Sequence, residues 1–282
     1  MSFTRTRRFG ISLMVAIGLV TALTAPAMAQ DAPPTVTMSA GIDLVNQYNF
    51  RGIRQNSDGV SIWPFVDFGF TPFRGDGALK SIAINVGSWN ASNSQINQAD
   101  FGTGNKWYES DIYGTVGFGF SQSAVAFTYT SYTSPADLFT HVKELAVKLS
   151  YDDSAALGAA ALKPYGLVAF ELATEPGRYQ ADGGLEGGRY LELGIAPGIS
   201  GSRASLAIPV KVGLSVGNYY ELDGVDNKFG FFSVGGLATV PVGSHFNVHG
   251  GLEFQALGDT TKALNAGDGS QVVGSFGIGV SY

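Results

Sequence analysis

The sequence predicts an all-β chain that closes into one antiparallel barrel and crosses a membrane with its strands. Three observations predict it. Stretches of about ten residues with apolar and polar side chains in alternation recur to the last residue. The connections between them alternate between short and long. The composition is poor in charge, with 14% Asp, Glu, Lys and Arg, and rich in glycine, with 39 in 282 residues. Soluble domains carry about 25% charged residues.

That composition excludes several classes. Glycine in a helix interior costs about 1 kcal/mol, so long helices are excluded. No apolar run of about 20 residues follows residue 30, which excludes a bundle of membrane-spanning helices. Mean hydropathy is +0.12 with 12% aromatics, too apolar for a disordered chain. The absence of cysteine excludes a disulfide scaffold, thiolate metal sites and a cysteine lipid anchor.

Residues 1–29 read as a cleaved secretory signal peptide. Arg5, Arg7 and Arg8 form its positive start, Ile11–Ala25 its apolar centre, and Ala27-Met28-Ala29 the small-residue cleavage site. The barrel then occupies 30–282. Without those three arginines, 14 basic residues face 23 acidic ones, a net charge of −9. Nucleic acid is therefore not an expected partner, because it requires a basic face.

Twelve strands are expected, with ten and fourteen as alternatives. The first carries Val36, Met38, Ala40, Ile42 and Leu44 on one face, a parity that Tyr48 and Phe50 continue. Val60–Phe70, Ile82–Val86 and Ile112–Phe120 follow, then Val125–Tyr129, Leu145–Tyr151, Val168–Leu172 and Leu191–Ile195. The ninth alternates most cleanly, from Leu206 to Val216. Phe232–Val240, Phe246–Phe254 and Val272–Tyr282 complete the set.

Short connections are Pro72–Lys80, Ser121–Ala124, Gly198–Ala204 and Pro241–His245. Long, polar ones are Arg51–Gly59, Asn90–Lys106, Ser131–Thr140, Ala173–Gly188, Gly217–Asn227 and Leu257–Ser270. Asp152–Lys163 departs from the pattern by being long and alanine-rich. Tight turns on one side and longer loops on the other belong to a membrane barrel.

Aromatics gather at strand ends. Tyr48, Phe50, Trp89, Trp107, Tyr108, Tyr132, Tyr219 and Tyr220 lie toward the long loops, and Phe73, Phe120, Tyr151, Phe246 and Tyr282 toward the short turns. They read as two interfacial girdles. A soluble β-sandwich would also alternate. In water, however, an outward face of Val, Ile and Phe on twelve strands would aggregate, whereas in lipid it is required.

Val280-Ser281-Tyr282 places an aromatic in phase with Phe276 and Ile278 at the end of an alternating strand. This resembles the terminal signal read by the barrel-assembly machinery of the bacterial outer membrane. The segment Asp43–Gln55 resembles the opening "S-x-Y-x-F-R-G-I-S-Q" of the TorF-like family of outer-membrane porins. Tyr48, Phe50, Arg51, Gly52, Ile53 and Gln55 match, and Asn46 and Arg54 stand in place of Ser. The resemblance implies a Gram-negative outer-membrane barrel with pore activity, and no catalytic residue is carried over from it.

If the apolar parity meets lipid, the other parity lines the lumen. It holds Asp43, Arg51, Asp67, Glu109, Asp111, Glu144, Lys148, Glu171, Glu192, Lys211, His249 and Glu253. Acids outnumber Lys and Arg eight to three, and such a wall would concentrate cations. The expected function is passive diffusion of small solutes through a monomeric barrel, with Arg51 as constriction or loop anchor. The same groups could instead form salt-bridge networks that only stabilise the barrel.

An enzyme acting on lipid or peptide is the alternative, as is a non-conducting structural or adhesive barrel. Catalysis would need a hydroxyl beside a histidine. His249 with Ser275 and Glu253, or His141 with Ser131 or Ser134, could supply one. No metal or other cofactor is expected: the acids of Asp223–Asn227 and Asp268 do not have Ca²⁺-loop spacing. Not an enzyme is therefore the sequence expectation, with outer-membrane lipid, the assembly machinery and small solutes as partners.

Overall fold

A computed structural model of the chain describes residues 36–56, 59–95, 106–139, 141–172 and 186–282. The signal-peptide segment and most of Ala173–Gly188 lie outside the described residues.

The strands are β1 (Val36–Val45), β2 (Tyr48–Phe50), β3 (Ile53–Asn56), β4 (Ser61–Arg74), β5 (Ser81–Asn93), β6 (Trp107–Gly119), β7 (Ser123–Thr133), β8 (Val142–Tyr151), β9 (Tyr165–Leu172), β10 (Arg189–Ile195), β11 (Gly198–Ser200), β12 (Ser205–Ala207), β13 (Val210–Gly217), β14 (Glu221–Leu222), β15 (Val225–Asp226), β16 (Phe229–Val242), β17 (Phe246–Leu257) and β18 (Ser270–Ser281). Each barrel strand pairs antiparallel with its neighbour, from β1–β4 round to β17–β18, and β1–β18 closes the ring. β10 and β11 are one wall strand interrupted at Ala196-Pro197, and β12 and β13 one interrupted at Ile208-Pro209. Proline has no N–H to give a ladder, which accounts for both breaks. Counted this way the wall has the twelve strands that the alternation predicts.

The outward parity is apolar and exposed: Leu252 is 67% exposed, Ile112 64% and Phe276 55%. The inward parity mixes polar side chains with glycine and alanine and with buried aromatics such as Trp63, Tyr113, Tyr190 and Phe231. Water would not tolerate such an exterior, and hydrocarbon demands it together with a closed ladder. Among the described residues closure gives each long wall strand a ladder neighbour on both sides, and only the short β11 pairs on one side, with β12. Tyr282 completes the seam by exchanging backbone hydrogen bonds with Met38 at 2.9 and 3.1 Å.

The short connections lie together, with both β1's start and β18's end beside them. Phe73, Tyr151, Phe246 and Tyr282 are exposed on that side, as a girdle requires. On the long-loop side the girdle reading fails. Trp107 is exposed, but Tyr48, Phe50, Tyr108, Tyr132, Tyr219 and Tyr220 are buried inside the barrel. The cause is the first long connection. The expected continuation of β1 through Tyr48 and Phe50 breaks at Asn46, whose N–H and side chain bond to Gly274 and Val272 of β18. The chain then turns inward as the hairpin β2–β3, a sheet separate from the wall.

Candidate functional site

The hairpin tip is Arg51-Gly52, between Phe50 and Ile53. Both residues have positive φ, 50° and 84°. Two successive left-handed residues make the tight turn that matches strand twist. Gly52 takes that backbone freely, and a Cβ there would lie 3.1 Å from Phe231. Arg51 does not, at a cost of about 1–2 kcal/mol.

The Arg51 side chain offsets this. Its two terminal nitrogens donate to the two oxygens of Glu144 at 2.6 and 2.8 Å, a bidentate fork. One of them also donates to Tyr219 Oη at 2.9 Å. The guanidinium carbon stands 4.1 Å from the Tyr190 ring centre and 4.8 Å from that of Phe50. Tyr220 Oη donates to the Arg51 carbonyl at 2.9 Å. Arg51 is thus a lumen-spanning anchor at the tip of the inward hairpin and not a residue of the wall.

Further groups hold the rest of the hairpin. Asn265 Nδ2 donates to the Gly52 carbonyl at 2.7 Å, as does Gln271 Nε2 at 3.3 Å. The Arg54 N–H donates to Asn265 Oδ1 at 2.7 Å, and its guanidinium to Asp268 at 2.5 Å. Tyr48 Oη donates to Glu109 at 2.8 Å, and Tyr108 Oη to Gln55 at 2.6 Å. Tyr48 also packs edge-on against Trp63 and Tyr108, centroids 5.2 and 5.9 Å away. The hairpin is therefore bound to β6, β8, β18 and two loops, and occupies the lumen near its outer mouth.

The structure places the other sequence-nominated groups on the inner wall. Asp43 Oδ1 meets His249 Nε2 at 2.6 Å, and His249 Nδ1 meets Asn247 at 2.8 Å. Both ring nitrogens are thereby occupied, and Ser275 stands opposite Gly251 rather than beside His249. Lys211 lies 3.8 Å from Glu253, which accepts from Gln255 at 3.0 Å. Glu192 accepts from Tyr165 and Tyr190 at 2.7 and 2.6 Å. Lys148 stands 4.4 Å from the Tyr165 ring centre. Asp67 accepts from Asn85 at 2.8 Å, and Glu171 from the Gly188 N–H at 2.7 Å. Asp111 is buried two residues from Glu109 on the same face of β6.

The wall is electrically lopsided. Lys148 and Lys211 lie on β8 and β13, and Arg51 reaches toward the same side. The strands β1 and β4–β7 contribute Asp43, Asp67, Glu109 and Asp111. Each of these four keeps one buried oxygen without a hydrogen-bond partner.

These geometries, a closed twelve-stranded wall with an apolar outside and a polar, partly plugged inside, fix the setting. The chain is a β-barrel of the bacterial outer membrane. An outer membrane channel from Pseudomonas putida shares the fold, with TM-score 0.51 and 11% identity over 92% of this chain and 100% of that one. The translocator domain of the autotransporter NalP from Neisseria meningitidis is similar at TM-score 0.49, 13% identity and 89% of each chain. The NanC porin is similar at TM-score 0.42 and 12% identity over 88% of this chain and 98% of that one. No protein-family profile and no characterised sequence matches the chain.

Sequence reasoning missed Tyr190, Asn265, Gln255 and Gln271 as hairpin and network partners. Gln255 and Gln271 face each other on β17 and β18 and are bonded at 2.9 Å. Their inward parity was the available signal.

Proposed function

We propose that the barrel passes small solutes passively, favours cations, and uses the docked β2–β3 hairpin as its constriction. The observation that carries this reading is the acid-only half of the inner wall. Asp43, Asp67, Glu109 and Asp111 line that half while Lys148, Lys211 and Arg51 lie toward the other, an asymmetry that favours a cation over an anion. The TorF-like porin family fits as the family assignment, because the residues that match its opening, Tyr48 to Gln55, are those that build the hairpin. The barrel fold shared with an outer membrane channel is consistent with passage.

The lumen acts here by charge and shape and not by catalysis. Its partners are the surrounding lipid, the permeating solute, and an assembly machinery that reads Tyr282. No metal or other cofactor enters the reading.

Planar-bilayer recording with a salt gradient tests it. The expected result is discrete conductance with a reversal potential of cation-selective sign. Anion preference would refute the selectivity. Silence from both the native barrel and a hairpin-shortened variant would refute passage. A non-conducting structural barrel is the second reading, favoured by the closely packed cluster of Tyr48, Trp63, Tyr108 and Tyr132 at the mouth.

A further inference from the structure

The outer face of the barrel carries a pair of groups that passage through the lumen does not use. Ser131 Oγ and His141 Nε2 lie 2.6 Å apart. Ser131 shares its parity with Phe127 and Tyr129, which are exposed to lipid, while its neighbour Tyr132 is buried inside. His141 precedes β8, where Val142 faces in, so His141 faces out with Lys143 and Leu145. Lys143 is the register partner of Ser131 on the next strand.

Position gives this pair its meaning. The register row holding Ser131 also holds Ile112 on β6 and Lys143 on β8. Below it run the exposed apolar side chains Tyr129, Val116, Phe127 and Leu145. Above it come Ser110, Thr133 and the exposed Trp107, which donates to Asn90 at 3.2 Å. Polar and aromatic side chains replace aliphatic ones where hydrocarbon gives way to headgroups. Acyl ester carbonyls of membrane lipids lie at that same level.

We propose that Ser131 and His141 form an acyl-transfer site on the lipid-facing surface, acting on the acyl ester of a membrane lipid. Ser131 Oγ attacks the ester carbonyl carbon while His141 Nε2 takes its proton. The ester C–O bond then breaks, and His141 returns the proton to the departing alkoxide oxygen. Water from the headgroup layer attacks the resulting acyl-serine, His141 passes the second proton, and a fatty acid and free Ser131 are released. The Lys143 ammonium is placed on the same face to stabilise the carbonyl oxygen as charge develops. The acyl chain lies down the apolar surface formed by Ile112, Tyr129 and Leu145. This activity is independent of conductance, so either reading can fail alone.

The test uses the full-length barrel purified from outer membranes in detergent. A fluorophosphonate probe is added, the modified residue is located by peptide mass, and fatty-acid release from diacyl-phospholipid micelles is measured. Adduct on Ser131 and steady acyl release are expected. Ser131→Ala should abolish both, and His141→Gln should slow both by about a hundredfold or more. Heat-modifiable gel mobility shows whether each variant is folded. If Ser131→Ala does not fold, the adduct position in the native barrel and its loss in His141→Gln still decide. A native barrel that takes no probe, or takes it on another residue, overturns the proposal.

Discussion

Arg51 sits where local and tertiary preferences oppose each other. Its backbone is in the left-handed region, which an arginine avoids, yet its side chain finds a carboxylate fork, a phenol and two aromatic faces. Both members of the ion pair are buried, Arg51 at 11% and Glu144 at 5% side-chain exposure. Removing one partner of such a pair leaves a buried charge unmatched, at a cost of about 3–5 kcal/mol. Arg51→Ala should therefore free the hairpin tip, and bilayer recording should show a larger and noisier unit conductance. Glu144→Gln, which keeps the shape, should move conductance the same way by less. A second residue-scale expectation lies outside the membrane. Asp152, in the turn after β8, accepts from the Ser154 amide at 3.0 Å. Hydrogen bonds from the Ser154 side chain and amide hold its carboxyl below the ordinary range. A depressed folded pKa adds stability that is complete above the unfolded value of about 4 and is lost as pH falls through the folded value. Asp152 is mostly in water, so the effect is small. Urea unfolding midpoints compared at neutral pH and near pH 3 should show Asp152→Asn losing less on acidification than the native chain.

The β2–β3 hairpin is a foreign element inside the barrel, and that makes it separable. It forms its own two-stranded sheet and donates no ladder bonds to the wall, which closes through β1, β4 and β18 without it. Replacing residues 48–55 by a short Gly-Ser link should leave the barrel folded, with unchanged heat-modifiable mobility, and raise conductance severalfold. A variant that fails to assemble would instead make the hairpin part of the folding core. This element also marks the limit of what the sequence displays. The wall was legible because a period of two, repeated twelve times, has one physical solution once one face must meet lipid. The hairpin was not, because Tyr48 and Phe50 keep the parity of β1, while the bonds of Asn46 and Gln47 to β18 mark where the chain leaves the wall. The aromatics were ambiguous for the same reason. An aromatic at a strand end reads alike whether it stays exposed, as Trp107 does, or packs inside the barrel, as Tyr219 and Tyr220 do. The inward carboxylates could be read from parity. Their partners could not, since Arg51 meets Glu144 across 93 residues of chain and across the lumen.

At the scale of the molecule, solvent on the outside decides which substitutions are tolerated. Leu252 stands midway along β17, opposite Gly236 and Gly274, and among the described residues is the most exposed of the large apolar side chains at 67%. In water an arginine there would be harmless, because the position has room and no buried partner. In a bilayer the same side chain lies near the hydrocarbon centre, where arginine costs about 2–4 kcal/mol. Leu252→Arg should accordingly lower the folding free energy in lipid vesicles by that amount. Moving the arginine toward the short-turn rim, as Phe246→Arg, should reduce the penalty to about 0–1 kcal/mol. The depth dependence is the informative quantity. Equal penalties at both positions would mean that packing, and not hydrocarbon, sets the cost, and the assignment of the outward parity to lipid would fall with it.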